Sequence, residues 1–175
     1  MTTLAIDHKA AVSESVYAAV RDFMFMEADL LDSRRYVEWL ALLEPDLSYR
    51  LATRETRDVR SEPRELLLYQ ENLGEVEMRI KQISDPTLTY AGNPPPHTRR
   101  FISNIRVLPG TSDNELAVHS YLLLWRAGGP RIETNTYSFV RHDTLRLVNG
   151  ALRIAARSAL LDASVMTAPS LPTVI

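Results

Sequence analysis

Apolar residues recur at helical spacing through the first quarter of the chain. Val16 and Val20 share one helical face, and Tyr36 and Trp39 begin a second apolar face. Residues three and four apart lie on one side of a helix, so this spacing predicts two helices. Proline disrupts a helix interior, and we therefore expect the second helix to end shortly before Pro45.

The middle of the chain carries three different patterns. Apolar residues alternate with more polar ones from Leu47 to Leu51, which predicts a strand with one dry face. Basic and acidic residues then alternate through 54–65, which is typical of a solvated loop. Asn72 and Glu75 have the spacing of a capping box and precede apolar residues at helical spacing. A third helix is therefore predicted after Asn72.

The second half of the chain changes to a period of two. Segments 101–108, 116–126 and 132–148 alternate between apolar and polar residues, which predicts three long strands. Turn-forming residues at 109–114 and 128–130 separate them. Helices that come first and long antiparallel strands that come last are typical of an α+β domain in which a strongly curved sheet wraps around its helices.

The last strand pair is predicted by Asn149-Gly150, the strongest short-range signal for a hairpin. A type I′ turn there places Arg146 opposite Arg153. Like charges opposite each other are unfavourable unless an anion or carboxylate lies between them. One face of the hairpin would be basic and the other apolar. The basic face consists of His142, Arg146, Arg153 and Arg157. It is either built to meet something acidic or is a solvated surface.

Composition limits the class of protein. The chain has 175 residues, of which 45% are hydrophobic, and this predicts a single domain over residues 1–175. With 20 basic and 22 acidic residues, the net charge of −2 does not favour a nucleic acid or an anionic membrane as partner. No apolar run approaches the roughly 18 residues of a membrane span, and the first residues lack the apolar core of a signal peptide. We therefore expect a cytoplasmic protein.

The candidate chemistry of the chain is sparse. The absence of cysteine excludes a cysteine nucleophile, a thiolate zinc site and a Rieske cluster within this chain. The histidines are far apart in sequence and show no spacing for a mononuclear iron site. They are His8, His97, His119 and His142. We predict neither a catalytic residue nor a metal ligand in this chain.

One arrangement could still support acid–base chemistry. His142 and Asp143 are adjacent on a predicted strand and point to opposite faces, so they cannot share a pocket. His119 could meet Asp143 across neighbouring strands, with help from Tyr121 or Tyr137. The alternative is that His119 is a core histidine bonded to backbone.

Three blocks of sequence together resemble a known family. The first contains Leu30-Leu31-Asp32, Arg35-Tyr36 and residues 38–42; the second contains Pro94-Pro95, Thr98-Arg99 and residues 102–107; the third contains residues 141–146, 153–157 and 160–162. In this order they resemble the small (beta) subunit of Rieske non-haem iron aromatic-ring-hydroxylating dioxygenases. The chain departs from that pattern at His97, Arg100 and Leu152, where the family commonly has arginine, histidine and tryptophan.

The resemblance implies an NTF2-like or cystatin-like cone and a non-catalytic assembly subunit. The partner alpha subunit would carry the Rieske [2Fe-2S] cluster and the mononuclear iron, and would dihydroxylate an aromatic ring with O2. Electrons would come from NADH through a reductase, often with a ferredoxin. Three beta subunits would form a trimer within an α3β3 hexamer.

The same resemblance suggests which residues serve assembly. They lie on the charged strands and are candidates for subunit contacts or for structural pairing within the sheet. They are Arg99, Asn104, Arg106, Arg141, Asp143, Arg146, Arg153, Arg157 and Asp162. The apolar tail 165–175 is also expected at an interface, together with the basic hairpin face.

Two other functions remain open. The cone fold also houses dehydratases and isomerases, so the chain could be a stand-alone enzyme acting on a small ring compound. It could also bind a hydrophobic ligand without reaction. Whether the interior of the cone is open or filled discriminates among these functions.

Overall fold

The computed structural model describes residues 12–55, 64–85, 87, 94–128, 133–163 and 174–175. Within them the order of elements is α1 (Glu14–Asp32), α2 (Tyr36–Leu40), β1 (Leu43–Glu55), β2 (Arg64–Glu71), α3 (Leu73–Ser84), β3 (His97–Pro109), β4 (Glu115–Gly128), β5 (Glu133–Val148) and β6 (Ala151–Leu161). The strands form one sheet in the order β2-β1-β6-β5-β4-β3. β1 and β6 pair in parallel and all other neighbours pair antiparallel.

The first and third predicted helices are confirmed. The hydroxyl of Ser13 accepts a hydrogen bond from the backbone N–H of Val16 and so caps α1. The capping box of α3 is complete, because Asn72 and Glu75 each accept from the other's backbone N–H. α1 packs against β3 and α3 against β1, so the helices cover one face of the sheet. We call this the inner face and the opposite one the outer face.

The structure corrects the prediction for residues 54–65. β1 continues to Glu55, and Arg64 begins β2, a strand that was not predicted. β2 lies at the edge of the sheet and its residues are mostly exposed. Its leucines form a continuous run, and the pairing with β1 shifts between Leu51 and Ala52, so no alternation is visible in the sequence. Residues 56–63 lie outside the described residues.

The second helix, α2, is shorter than the helix that its apolar pattern predicts. It ends at Leu40, and Pro45 lies inside β1. The pairing of β1 with β6 is interrupted between Leu43 and Ser48. Proline has no N–H to donate to a ladder, so it is tolerated in this irregular stretch.

The predicted hairpin is confirmed with its register. Val148 pairs with Ala151, and Arg146 lies opposite Arg153. Asn149 and Gly150 both have positive φ angles, 51° and 80°, as a type I′ turn requires.

Two β-bulges reverse which residues face inward. In β3, Ser103 pairs with Tyr121 but Arg106 pairs with His119, and Asn104 adopts a φ of 53°. In β6, Ala155 is unpaired because Leu145 lies opposite Ile154 and Thr144 opposite Ala156. An extra residue in one strand shifts the alternation by one position. Ile154 and Arg157 therefore share the inner face.

Among the described residues, the core lies between the helices and the inner face. Its buried apolar residues form two clusters, one centred on Trp39, Tyr49 and Leu145 and the other on Leu122, Phe139 and Leu161. Nowhere in the described ranges is a helix both long enough and apolar enough to cross a membrane.

Candidate functional site

Four charged side chains form an ion-pair cluster inside the cone: Glu27, Arg141, Asp143 and Arg157. Arg157 contacts Glu27 at 2.5 Å through Nη1 and Asp143 at 2.7 Å through Nε. Arg141 Nη2 lies 2.7 Å from Asp143 and 3.1 Å from Glu27. The indole N–H of Trp39 also donates to Glu27 at 3.1 Å. The relative exposure of Arg141 is 0% and that of Arg157 is 1%, so the cluster is shielded from water.

The bulge in β6 creates this cluster. A regular strand would turn Arg157 to the outer face with Arg153, which is the position that the sequence predicts. The unpaired Ala155 instead turns Arg157 inward, where it pairs directly with Asp143. The prediction that Arg157 belongs to an exposed basic face is therefore wrong.

The ion pairs determine the charge states of Glu27 and Arg157. Burial would raise the pKa of Glu27, but the guanidinium groups of Arg157 and Arg141 outweigh burial and lower this pKa to about 2. Burial opposes the charge of Arg157, yet Asp143 and Glu27 raise its pKa well above the ordinary value. Both groups are therefore ionised at neutral pH.

The lowered pKa of Glu27 predicts a loss of stability in acid. The unfolded chain binds a proton below about pH 4.5, whereas folded Glu27 does so only near pH 2. Ionised Glu27 therefore contributes about 3 kcal/mol to the free energy of unfolding. This contribution is fully present above pH 4.5 and is lost as the pH falls toward 2. Denaturant unfolding at several pH values should show this fall in wild type and a shallower one in Glu27→Gln. Equal slopes would contradict the assignment, and Glu77→Gln on α3 is the control.

A second buried pair joins α1 to β3. Asp32 accepts from the backbone N–H of Arg100 at 2.8 Å and from Thr98 Oγ1 at 3.1 Å, and it forms an ion pair with the Arg100 side chain. Asp32 ends α1. This pair therefore fixes the end of the helix on the inner face.

The last two residues of the sequence also lie inside the cone. Val174 and Ile175 are fully buried, and they join the two apolar clusters. The Tyr49 hydroxyl donates to the Ile175 carbonyl at 2.6 Å and accepts from the Ile175 N–H at 2.7 Å. The expected interface position of the tail is thus wrong for these two residues. Residues 164–173 lie outside the described residues.

The like-charged pair of the hairpin is neutralised by its own chain. Arg146 lies 2.9 Å from both Asp46 and Glu115 and 3.3 Å from Glu44. Hydrogen bonds to these carboxylates raise the pKa of Arg146. Arg153 donates to the Ala41 carbonyl at 2.6 Å. The acidic groups that this face was expected to meet are therefore present within the chain.

His119 does not occupy the position that either sequence interpretation gave it. It lies on the outer face, partly exposed, with its ring centroid 4.2 Å from that of His142. Asp143 faces inward, so His119 and Asp143 cannot form an acid–base pair. Tyr121 is on the outer face and Tyr137 is buried on the inner face, so they cannot act together.

The outer face carries an open groove of about 490 Å³ beside the bulge in β3. Asn104 and Arg106 line it together with His119 and His142. Burial, the neighbouring His142 and Arg106 lower the pKa of His119. The shift favours the neutral form of His119, and Arg106 brings a positive charge to the groove.

Three large apolar residues lie beside the groove and form what we call the outer patch: Phe101, Tyr121 and Leu123. Their exposed fractions are 57%, 48% and 43%. Phe101 pairs with Leu123, and Tyr121 is two residues from Leu123 on the same face, so the three are contiguous. Exposed contiguous apolar surface favours contact with another protein.

The remaining candidate residues lie near the outer surface. Arg99 is exposed beside the outer patch. Asp162 accepts from Ser138 at 2.7 Å and contacts Arg54 at 3.3 Å. The sequence interpretation missed Glu27, Asp32 and Glu44. A signal for Glu27 exists, because it lies at i+4 from Phe23 on the apolar face of α1.

The part of the chain that the structure describes has no group of three or more histidine, aspartate or glutamate side chains placed to hold a metal ion. The inner carboxylates Glu27 and Asp143 are held by guanidinium groups. The candidate features are thus the ion-pair cluster and the buried residues Val174 and Ile175 on the inner face, and the outer patch on the outer face.

Comparisons with known proteins identify the family. The profile of the family described as "ring hydroxylating beta subunit" matches residues 26–168. A chain of naphthalene 1,2-dioxygenase, solved with indole in its active site, superposes with a TM-score of 0.80 at 20% identity, covering 93% of this chain and 87% of that chain. The beta subunit of benzoate 1,2-dioxygenase from Burkholderia mallei has a TM-score of 0.66 at 18% identity, covering 83% of this chain and 89% of that one.

The fold is shared more widely. A protein from Novosphingobium aromaticivorans assigned provisionally as a scytalone dehydratase has a TM-score of 0.63 at 17% identity, covering 85% of each chain. The predicted cystatin-like fold, with helices on a curved and mostly antiparallel sheet, is confirmed. The family profile spans most of the sequence, including the end of α1 and all six strands of the sheet. The chain therefore belongs to the ring hydroxylating beta subunit family, whose members act in complexes with an alpha subunit.

Proposed function

We propose that this chain, as a single cytoplasmic domain, is the non-catalytic assembly subunit of an aromatic-ring-hydroxylating dioxygenase. The alpha subunit would carry the Rieske cluster and the mononuclear iron. With O2 and electrons from NADH, delivered through a reductase or a ferredoxin, the complex would convert an aromatic compound to a cis-dihydrodiol. This chain would hold the alpha subunits together in an α3β3 hexamer.

The ion pairing of the carboxylates inside the cone carries this proposal. An enzyme that carries out acid–base chemistry inside such a fold needs a general base there. Here the inward carboxylates Glu27 and Asp143 are paired with Arg141 and Arg157. The pKa of Glu27 is about 2, so this carboxylate is a weak base at neutral pH. The interior therefore supports a structural role.

The outer patch supports contact with other subunits. Phe101, Tyr121 and Leu123 expose apolar surface on rigid strands, and Arg99 and Arg106 flank them with positive charge. Interfaces commonly combine an apolar centre with a polar rim in which arginine is frequent. Among the candidate residues, Arg99, Asn104 and Arg106 are thus proposed for subunit contacts, while Arg141, Asp143 and Arg157 are proposed to be structural.

Metal content tests the non-catalytic role. The sequence has no cysteine to hold an iron–sulfur cluster, so this chain does not fit a Rieske centre. We expect the chain purified alone to hold no stoichiometric iron and to show no O2 uptake with NADH and aromatic compounds. Iron should follow the alpha subunit when the complex is separated. Tightly bound iron near one per chain in this subunit, measured by elemental analysis, would refute the proposal.

The rival enzymatic function has its own test. His119 faces the outer groove, on the opposite face of the sheet from the inner carboxylates, so His119→Asn should leave turnover per assembled complex nearly unchanged. A loss of about 100-fold, the usual scale for removal of a general acid or base, would instead favour a catalytic histidine. The comparison must be made on complexes of equal size, so that a defect in assembly is not read as a defect in chemistry.

A further inference from the structure

The main-chain atoms of Val174 and Ile175 are hydrogen-bonded by surrounding side chains, as those of a bound peptide are. Tyr49, Arg100 and Arg157 surround their backbone, and we call these three residues the seat. Arg100 donates to the Val174 carbonyl at 2.6 Å, and Arg157 donates to the Ile175 carbonyl at 2.8 Å. Tyr49 bonds both the N–H and the carbonyl of Ile175.

The seat binds main-chain atoms of Val174 and Ile175. Both arginines already have carboxylate partners, Arg100 with Asp32 and Arg157 with Glu27 and Asp143, so their charges are compensated. The Tyr49 hydroxyl accepts from an N–H, which a simple acid or ketone lacks. These requirements describe a peptide.

The seat is also held independently of its occupant. Tyr49 lies on β1 and stacks on Tyr69 of β2, with ring planes 6° apart and centroids separated by 6.3 Å. Asp32 and the ion-pair cluster fix Arg100 and Arg157. The side chains of Val174 and Ile175 contribute only apolar contacts, one to each cluster of the core. The site is therefore preorganised for a short apolar segment.

We propose that the seat is a binding site for a short apolar peptide, occupied in this structure by the chain's own Val174 and Ile175. The class of ligand is a segment with two successive carbonyls, an N–H between them and aliphatic side chains. This inference does not depend on the proposed function, because it concerns recognition inside the cone and not the outer face.

A chain lacking Val174 and Ile175 tests the proposal with N-acetyl-valyl-isoleucinamide as the probe. The probe should raise the melting temperature of the truncated chain in a saturable way and leave that of the full chain unchanged. The matched control is the ester analogue in which oxygen replaces the isoleucine N–H. It should bind about tenfold more weakly, since it cannot donate to Tyr49.

Tyr49→Phe in the truncated chain provides the second comparison. It should remove the difference between amide and ester while retaining weak binding of both. A truncated chain that is unfolded alone should regain its near-ultraviolet circular dichroism with the amide probe. The proposal is overturned if the truncated chain, folded or not, does not respond to the probe at millimolar concentration. It is also overturned if amide and ester bind equally while Tyr49 is present.

Discussion

Replacing Arg157 with methionine is expected to lower the free energy of unfolding by about 3–5 kcal/mol, because it leaves Glu27 and Asp143 buried with too few positive partners. Methionine keeps most of the volume, so the loss reports charge compensation rather than a cavity. Arg157 contacts both carboxylates at 2.5–2.7 Å and is 1% exposed. Denaturant unfolding monitored by tryptophan fluorescence measures the change, since Trp39 donates to Glu27.

Arg153→Met is the matched control for this measurement. Arg153 lies on β6, as Arg157 does, but 39% of its side chain is exposed. Its Nε lies 3.6 Å from the Glu44 carboxylate. Half-exposed pairs contribute about 0–1 kcal/mol, so this variant should remain close to wild type. Similar losses for Arg153→Met and Arg157→Met would show that the interior cluster does not hold the fold together.

The outer patch gives the second large effect. The double variant Phe101→Glu with Leu123→Glu should leave the fold intact, because both side chains are about half exposed. It should nevertheless prevent assembly with the alpha subunit, since two charges at the centre of an apolar contact would be buried without partners. We expect the apparent affinity between subunits to fall by at least about 100-fold, an effect of roughly 3 kcal/mol. Size-exclusion chromatography with light scattering measures it.

Met78→Glu controls for a general effect of added charge. Met78 lies on α3 and is 64% exposed, away from the outer patch. This variant should assemble normally. If Phe101→Glu with Leu123→Glu also assembles normally, the outer patch is free surface and the contact lies elsewhere.

The elements of this fold were largely readable from local patterns. The capping box at Asn72, the Asn149-Gly150 turn and the alternation of the last strands each depend on neighbouring residues, and the structure confirms them. β2 was missed because it lies at the edge, where its exposed leucine run is not distinguished by alternation. Pairing with β1 determines the conformation of β2, and β1 is a separate segment of the sequence.

The site was less predictable because it depends on two bulges. A single unpaired residue at Ala155 moves Arg157 from the outer to the inner face, and local sequence gives no clear sign of it. Glu27 belongs to the same cluster but lies 114 residues before Arg141. Such a pairing follows from the packing of α1 on the sheet. The sequence blocks that resemble the family include Arg141, Asp143 and Arg157, but they do not show which side chains face inward.

Sedimentation of the alpha subunit with and without this chain tests the assembly function most directly. We predict that alpha subunits sediment as an α3β3 hexamer when this chain is present, and as smaller species with little turnover when it is absent. Adding the chain back should restore hexamer and turnover together. An alpha subunit that reaches the same assembly and the same turnover without this chain would contradict the account.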